Sequence, residues 1–569
     1  MTAEGLRQAR ELGVVSRLAQ NASGRAAYSL TLGMRRGVPE LSFFSSLQGL
    51  ALSLPAPLAK KAGESLPLRL ETQLTRDDPR AVSSHAQPQE DQLTLELGSL
   101  VRAKYLRKVS GDETRILRGA LAIGLPVDVS VPLPADGVAA RVSLSKLDLD
   151  AWRALVSAPA EAAQRAGDAD SQGSQTPAAV MGYLPSGMVI QADELIAGGH
   201  KFNRVVAGAT RVERTWRANL DAEELSGYLE YGQPTGADAG RLHARLARLS
   251  LAQTGAAEVE TFLDEPPVSI PALDVVVGDM ELRGKKLGRV EIEAVNRGAA
   301  RRDSGAREWR LSKFNVIMPE AVFTANGNWA TLSEAPTGAD DSRPSRSQAE
   351  RRRTVMNFRL DIADAGGLLA RLGMRDVIRG GKGKMEGQIA WIGSPLALDY
   401  PTLGGAFTVN VENGQFLKAD PGLAKLLSVL SLQSLPRRLT LDFRDVFSEG
   451  FAFDFVRGDV RVEQGTAMSN NLQMKGVNAA VLMEGRADIA KETQDITVVV
   501  VPEINAGTAS LIATWINPAV GLGSFLTQLI LRRPLIESAT QQFQITGSWA
   551  DPKIARADVS AQSKAGVTP

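Results

Sequence analysis

The stretch Met356-Asn-Phe-Arg-Leu-Asp-Ile362 alternates apolar with polar residues at every position. Successive side chains of a β-strand point to opposite faces, so this pattern predicts a strand with one apolar and one wet face. The same period of two recurs along the chain, and Gly-containing turns separate the repeats. Further strands are predicted around residues 93–97, 290–294, 407–412, 451–455 and 481–489.

The apolar faces of so many strands cannot all be buried in the core of one small β-sandwich. The chain, at 569 residues, is also longer than a domain with a single ordinary hydrophobic core. We therefore expect a mainly β fold, an elongated, twisted antiparallel β-sheet curled into an apolar groove. A few short amphipathic helices and a C-terminal helical hairpin complete the expected fold. The side chains expected to line the groove are Phe358, Leu360, Phe407, Val409, Phe451, Phe453, Phe455, Val481 and Met483.

Four aspartates follow strand-like sequence and precede short helix-like sequence. They are Asp150, Asp221, Asp364 and Asp420. An aspartate at this position can accept the free backbone N–H groups of a first helical turn. We therefore predict helices after residue 150 and near residues 221–230, 364–373 and 420–434.

No charged residue occurs between Ile504 and Leu531. Asn517-Pro518 interrupts this stretch and would break a membrane-spanning helix, so it predicts an apolar helical hairpin over residues 504–533. Two interpretations stay open: the hairpin packs on its own sheet as a lid, or it contacts a membrane. The second assigns lipid contact to Leu511, Trp515, Phe525, Leu526 and Leu529, with Arg532 and Arg533 at headgroup level.

The predicted elements give an order of segments along the chain. Groove-forming strands are expected over residues 1–150, 186–333 and 351–503. A helix with a mobile loop separates the first two over residues 151–185, and a second loop covers residues 334–350. After the hairpin come a final strand at 534–554 and a disordered tail at 555–569.

Composition excludes several classes of protein. Lys plus Arg total 65 and Asp plus Glu total 64, so no basic surface for nucleic acid is indicated. Cysteine is absent, which excludes disulfides and cysteine zinc sites, and the three histidines are scattered. No nucleotide, metal-ligand or nucleophile motif occurs. The sequence therefore predicts no catalytic residue, no metal and no cofactor.

The start of the chain, Met1-Thr-Ala-Glu-Gly5, is polar and no apolar segment of a signal peptide follows it. A protein with this sequence that works outside the cytoplasm is expected to have its targeting segment upstream.

One run of residues resembles a family signature. Ser45-Ser-Leu-Gln-Gly-Leu-Ala-Leu-Ser-Leu-Pro-Ala-Pro-Leu-Ala-Lys60 is similar to the SxLxGlxxxLPxPLxK pattern of the YhdP branch of AsmA-like proteins of Gram-negative bacteria. The similarity continues at residues 404–416, 422–435, 443–451 and 543–552. It covers most of the chain and is most specific in its C-terminal part.

This resemblance implies a function. Such proteins are bridge-like carriers in which a curled β-sheet with an apolar groove moves phospholipid across the periplasm and supports the outer-membrane barrier. The resemblance implies a non-enzymatic C-terminal half of such a carrier, in the periplasm, with its C-terminal end at the outer membrane. An inner-membrane anchor is then expected upstream, and other envelope proteins are expected partners.

Two other classes of function stay open. One is a scaffold or chaperone for envelope assembly that aids outer-membrane protein biogenesis and pairs client strands with a sheet edge. The other is a secreted β-solenoid enzyme on carbohydrate, which the low aromatic content of 5% disfavours.

Overall fold

The computed structural model describes residues 1–8, 18–35, 38–75, 89–110, 113–152, 154–155, 182–235, 239–251, 271–296, 308–331, 352–393, 395, 398–417, 451–476, 479–502 and 541–557. The chain divides into two compact units. Unit 1 comprises residues 1–233 and 241–259, and unit 2 comprises residues 234–240 and 260–569.

Unit 1 is built almost entirely of strands. After a short helix α1 (Ala3–Gln8), it contains β1 (Ala22–Gly24), β2 (Ser29–Arg35), β3 (Val38–Ser45), β4 (Leu50–Leu52), β5 (Leu68–Leu74), β6 (Gln89–Leu97), β7 (Val101–Ser110), β8 (Glu113–Ile123), β9 (Gly137–Asp148), β10 (Gly187–Ala197), β11 (His200–Val212), β12 (Thr215–Asp221), β13 (Leu225–Gly232) and β14 (Arg241–Leu251).

The pairing of the unit 1 strands is mainly, but not wholly, antiparallel. β1 and β4 form a separate two-stranded sheet. In the larger sheet, β8 pairs with β9 and β9 with β10 in parallel, because long connections return the chain to the same end. These two parallel pairs agree with the prediction of a mainly antiparallel sheet, since every other pair in unit 1 that the structure describes is antiparallel.

Unit 2 holds thirteen described strands, which pair with one another in antiparallel fashion. They are β15 (Ala272–Leu282), β16 (Lys285–Asn296), β17 (Glu308–Ile317), β18 (Ala321–Thr331), β19 (Arg352–Ile362), β20 (Ile378–Ile392), β21 (Gly404–Phe416), β22 (Phe451–Glu463), β23 (Thr466–Gly476), β24 (Ala479–Asp488), β25 (Thr493–Pro502), β26 (Gln541–Ser548) and β27 (Pro552–Ala557). The prediction of a mainly β fold is confirmed.

One helix of unit 2 begins where an aspartate was expected to cap it. Helix α2 (Ala365–Arg371) follows Asp364, whose side-chain oxygen accepts a hydrogen bond from the amide of Gly367 at 3.1 Å. The last turn is held by Arg371, which makes two 2.7 Å hydrogen bonds to the carboxylate of Glu320. That guanidinium lowers the pKa of Glu320 below its usual value.

Other aspartates act differently. The helix expected near residues 221–230 is wrong, because Asp221 ends β12 and the chain turns directly into β13. After β9, residues 149–152 are helical, but the carboxylate of Asp148 accepts from the Ala151 amide, and Asp150 instead binds the amides of Gly198 and Gly199. The helix expected at 420–434 lies outside the described residues.

The end of the described chain also differs from expectation. Residues 541–557 form two strands, β26 and β27, rather than one final strand, and the second continues to Ala557. The predicted disordered tail therefore begins too early, since residues 555–557 pair with β26. Residues 156–181 of the segment expected as a helix with a mobile loop at 151–185, the loop expected at 334–350 and the hairpin at 504–533 lie outside the described residues.

A closed apolar core of unit 2 lies at β22–β26. Phe453, Met474, Val481, Val498, Val500 and Ile545 form one cluster of buried side chains. Val499 and Val501, which point to the other side of β25, are also at most 1% exposed. A run of apolar residues without alternation is typical of a strand covered on both faces, and the valines at 498–501 fit that rule.

Candidate functional site

One face of the sheet in unit 2 is apolar from β15 to β22. Residues that lie directly opposite each other on paired strands share a face, so the strand registers define its rows. One row contains Val275, Ile292, Phe314, Ala325, Phe358, Gly387, Phe407 and Val460. The next row contains Val277, Val290, Val316, Phe323, Leu360, Met385 and Val409.

Four aromatic rings connect these rows, and we call them the Phe ladder: Phe314, Phe323, Phe358 and Phe407. Their successive centroids are 5.7, 6.2 and 6.2 Å apart, within the range of favourable aromatic pairs. All four side chains are only partly buried. The ladder is therefore an apolar surface with room for another apolar molecule.

Gly387 makes the last contact of the Phe ladder possible. It lies between Phe358 and Phe407 on β20, and a Cβ there would lie 2.3 Å from the Ala406 carbonyl oxygen and 2.5 Å from the Phe407 Cβ. Without a side chain at this position, the two rings approach each other across the intervening strand. Gly387 belongs to the glycine-rich run at 379–387, which forms the body of β20 rather than a turn.

The opposite face of the same strands is charged and largely paired. Arg359 forms a two-point contact with Asp361 and lies 3.7 Å from Glu386, which also binds Lys384 at 3.0 Å. On β16, Glu291 lies 2.7 Å from Lys313 and 2.8 Å from Arg289. Hydrogen bonds from these two cations lower the pKa of Glu291 to about 2. One face of the sheet is thus hydrophilic and the other is apolar.

Four of the residues predicted to line a groove lie together on this apolar face. Phe358 and Leu360 on β19 are adjacent in register to Phe407 and Val409 on β21, with β20 between them. Period-two alternation thus predicted their common face, and their contact with lipid stays a prediction. Phe314 and Phe323, which complete the ladder, were not singled out, although each also lies on a strand.

The other predicted residues are placed differently. Val481 and Phe453 are 1% and 3% exposed and lie in the closed core at β22–β26, with Met483 packed against it. Val481 and Phe453 lie on the apolar side of the sheet, but their side chains are almost completely buried. The side chain of Phe451 and the membrane-contact residues Leu511, Trp515, Phe525, Leu526, Leu529, Arg532 and Arg533 lie outside what the structure describes.

The placement of Phe455 on the apolar face is wrong. Phe455 pairs opposite Glu412 and Lys475, and the guanidinium of Arg457 lies 4.2 Å from its ring centroid. The register of β22 with β23 shifts between Phe453 and Phe455, so residue 454 is an extra residue that reverses the alternation. Cation–π contact with Arg457 stabilises the ring on the charged side.

Unit 1 has an apolar face of its own, made of smaller side chains. One row runs through Leu70, Leu95, Ala103, Leu121, Ala140 and Met188. At one end of this face the carboxylate of Asp91, 4% exposed, pairs with the guanidinium of Arg107 directly opposite. The hydroxyl of Tyr183 accepts from Arg107 at 3.2 Å, and the Tyr183 ring lies edge-on to Tyr105 at 5.1 Å.

The run Ser45–Lys60 has a structural explanation within unit 1. Ser45, 1% exposed, donates to the Ala27 carbonyl at 2.6 Å and accepts from the Leu47 amide at 3.1 Å. The Lys60 ammonium is buried and donates to the carbonyls of Leu50 and Lys61 at 2.6 and 3.0 Å. These two polar side chains satisfy backbone groups of a tight loop, so the run fixes local structure.

Neither a metal centre nor a membrane-crossing helix emerges from the described part of the chain. No group of three His, Cys, Asp or Glu side chains there could hold a metal ion. None of the described helices has the length and hydropathy that a membrane crossing requires. His200 and His243 lie beside Phe202 and Tyr228, and His85 lies outside the described residues.

The fold and this face define a mainly β protein with a broad, partly exposed apolar surface. A sequence profile described as YhdP protein matches residues 1–554, and the chain therefore belongs to the YhdP family. It is 29% identical over 183 residues to the intermembrane phospholipid transporter YhdP of Escherichia coli strain K12. That match covers 32% of this chain and 14% of the relative. No solved structure shows significant similarity to the chain.

Proposed function

We propose that the chain binds phospholipid on the apolar face of unit 2 and carries it between the inner and outer membranes without chemical change. The observation that carries the proposal is the Phe ladder, an aromatic surface that is only partly buried and extends from β17 to β21. The name of the E. coli relative, an intermembrane phospholipid transporter, supports this ligand class.

The physical need for such a surface is large. A two-chain phospholipid exposes about 30 methylenes to water, which costs about 25 kcal/mol at ~0.8 kcal/mol each. A face of aligned apolar rows keeps the acyl chains covered while a lipid moves from row to row. Because neighbouring rows are chemically alike, each step exchanges similar contacts and changes the free energy little.

The charged face complements this role. Its ion pairs keep the opposite side of the sheet hydrated, so the sheet stays in water while one side holds lipid. We place the protein in the periplasm, where a carrier of this kind would support the barrier of the outer membrane.

The direct test is native mass spectrometry of the purified chain, followed by extraction and identification of bound lipid. We expect phospholipid in stoichiometric or greater amount, released by detergent. Purified protein that contains no phospholipid and takes up none from vesicles would contradict the proposal.

A second function is favoured by one observation in unit 1. β2 pairs only with β3 among the described strands, and Leu30, Leu32 and Met34 on it are 52%, 64% and 71% exposed. An open strand edge with an apolar face can accept a strand from another protein, as an envelope-assembly scaffold would require. Photocrosslinking distinguishes the two: lipid adducts from Phe358 or Phe407 support transport, whereas protein adducts confined to β2 support a scaffold.

A further inference from the structure

The apolar face of unit 2 ends in a row of tryptophans. Trp309 lies directly opposite Trp329, Trp329 opposite Thr354, and Thr354 opposite Trp391. We call these four residues the Trp row. They lie near the start of β17 and β19 and near the end of β18 and β20, so they form one rim of the apolar face.

Two members of the Trp row carry donors without an acceptor. Trp309 and Trp329 are 5% and 2% exposed, and neither indole Nε1 has a hydrogen-bond partner among the described residues. A buried N–H group without a partner is destabilising and rare in folded proteins. The two indole donors lie at directly opposite positions, where the described residues supply no acceptor.

Positive charge lies beside these donors. The guanidinium carbon of Arg352 is 5.5 Å from the centroid of the Trp329 ring. The hydroxyl of Thr354, opposite Trp329, donates to the Gly393 carbonyl at 2.8 Å, and neither unpaired indole N–H donates to its oxygen. Indole N–H groups and a guanidinium together suit ester carbonyl oxygens, which accept hydrogen bonds, and phosphate oxygens, which also carry negative charge.

The spacing along the strands fits one lipid molecule. Trp329 and Ala325 lie on the same face of β18, four residues apart, which corresponds to about 13 Å at ~3.3 Å per residue, and Ala325 is directly opposite Phe314 and Phe358 of the ladder. The hydrocarbon of one bilayer leaflet is about 15 Å thick, half of the ~30 Å core. An acyl chain lying along the strand therefore reaches from the Trp row to the Phe ladder.

We propose that Trp309, Trp329 and Arg352 bind the ester and phosphate region of a glycerophospholipid whose acyl chains lie on the Phe ladder. This inference rests on the proposed function, since it assigns the orientation of the lipid on the same face. In this orientation the two indole N–H groups donate to the oxygens of the lipid.

The test compares Trp309→Phe and Trp329→Phe with a control outside the Trp row, Trp549→Phe. All three replace an indole with the same smaller ring, but Trp549 lies after β26, is 44% exposed and is not one of the unpaired donors. Affinity for a diester phosphatidylglycerol is measured by titration with vesicles. We expect each of the first two variants to bind about three- to tenfold more weakly, and the control to bind like the parent chain.

Three lipids identify the acceptor. A diether analogue lacks ester carbonyls, and diacylglycerol lacks phosphate. If the carbonyls are the acceptors, the diether lipid binds the parent as weakly as the diester binds the variants. If the phosphate is the acceptor, diacylglycerol shows that loss instead.

A second measurement uses the parent sequence, so its result does not depend on whether the variants fold. The chain is labelled with 5-fluorotryptophan, and the fluorine resonances of Trp309 and Trp329 are expected to shift when the diester lipid is added. If lipid binds in full amount but neither the affinities nor these resonances respond, the orientation is wrong while the transport proposal stands. If no lipid binds at all, the proposed function itself fails.

Discussion

The ring of Phe453 lies directly against Gly414 on the neighbouring strand, where a Cβ would lie 2.4 Å from the ring. Phe453 is 3% exposed and enclosed by the β22–β26 core, so the ring has no free space into which it can move. Gly414→Ala is therefore expected to destabilise unit 2 by about 1–3 kcal/mol through overpacking.

The urea midpoint of unfolding measures this effect, and the same strand supplies a control. A Cβ at Gly404 would meet only the Val462 carbonyl oxygen, at an ordinary 3.5 Å. Gly404→Ala should leave the midpoint nearly unchanged. Equal losses in the two variants would show that the contact with Phe453 is not the cause.

The Phe ladder gives the clearest functional prediction. Phe407→Asp introduces a carboxylate among apolar rows, whereas Thr408→Asp introduces the same group on the charged face one residue away. Because an apolar ligand cannot solvate the carboxylate, we expect at least about tenfold less bound phospholipid in the first variant. The second should bind like the parent chain.

Lipid bound per chain, measured after identical purification, decides the result. Phe407 is preferred to Phe453 for this test because it is only partly buried, so its replacement leaves the closed core intact. Equal lipid content in the Phe407→Asp and Thr408→Asp variants would contradict lipid binding on this face.

The Glu291 ion pairs predict a pH dependence of stability. The folded-state pKa of Glu291 is lowered from 4.5 to about 2, so its contribution is fully present above about pH 4.5 and is lost as the pH falls toward 2. Glu291→Gln should cost about 1 kcal/mol at pH 7, and the difference from the parent should shrink through that window.

Urea unfolding at pH 7 and pH 3 measures the difference. Glu293→Gln serves as the control, since Glu293 is more exposed and lies 3.7 Å from Lys313. A difference between parent and Glu291→Gln that stays constant with pH would argue against the lowered pKa.

The cap of α2 can be tested in the same way. Asp364→Ala removes the acceptor of the Gly367 amide and is expected to destabilise the helix by about 1 kcal/mol. Asp364→Asn keeps a side-chain oxygen and should retain most of the stability. Hydrogen exchange at Gly367 should accelerate only in the alanine variant, and protection in both would show that the cap does not hold the helix.

Comparison of two aspartates shows what the sequence could and could not predict. Asp364 and Asp221 both precede helix-like residues, yet only Asp364 caps a helix. After Asp221, the Glu224 carboxylate binds the backbone amide of Asn203 on β11 at 2.8 Å, and the chain pairs as β13. Contacts with a distant strand overrode the local helical preference, and the local sequence does not contain them.

The candidate site was predictable to a similar degree. Phe358, Leu360, Phe407 and Val409 were placed together by period two, because the backbone of a strand imposes it. The misplacement of Phe455 came from a single extra residue, and the Trp row required knowledge of which strands pair. The alternation of apolar and polar residues predicts which face of the sheet a side chain occupies. Which residues lie next to it on the neighbouring strands depends on the pairing register.

The extra residue at position 454 has a consequence for how such chains diverge. Loss or gain of one residue within a strand inverts its two sides until the next irregularity, whereas a change of two preserves them. Insertions and deletions in related chains should therefore come in even numbers inside strands and in any number between them. Whether the number of inserted or deleted residues in a strand is odd or even can then guide the alignment of related chains whose residues are no longer alike.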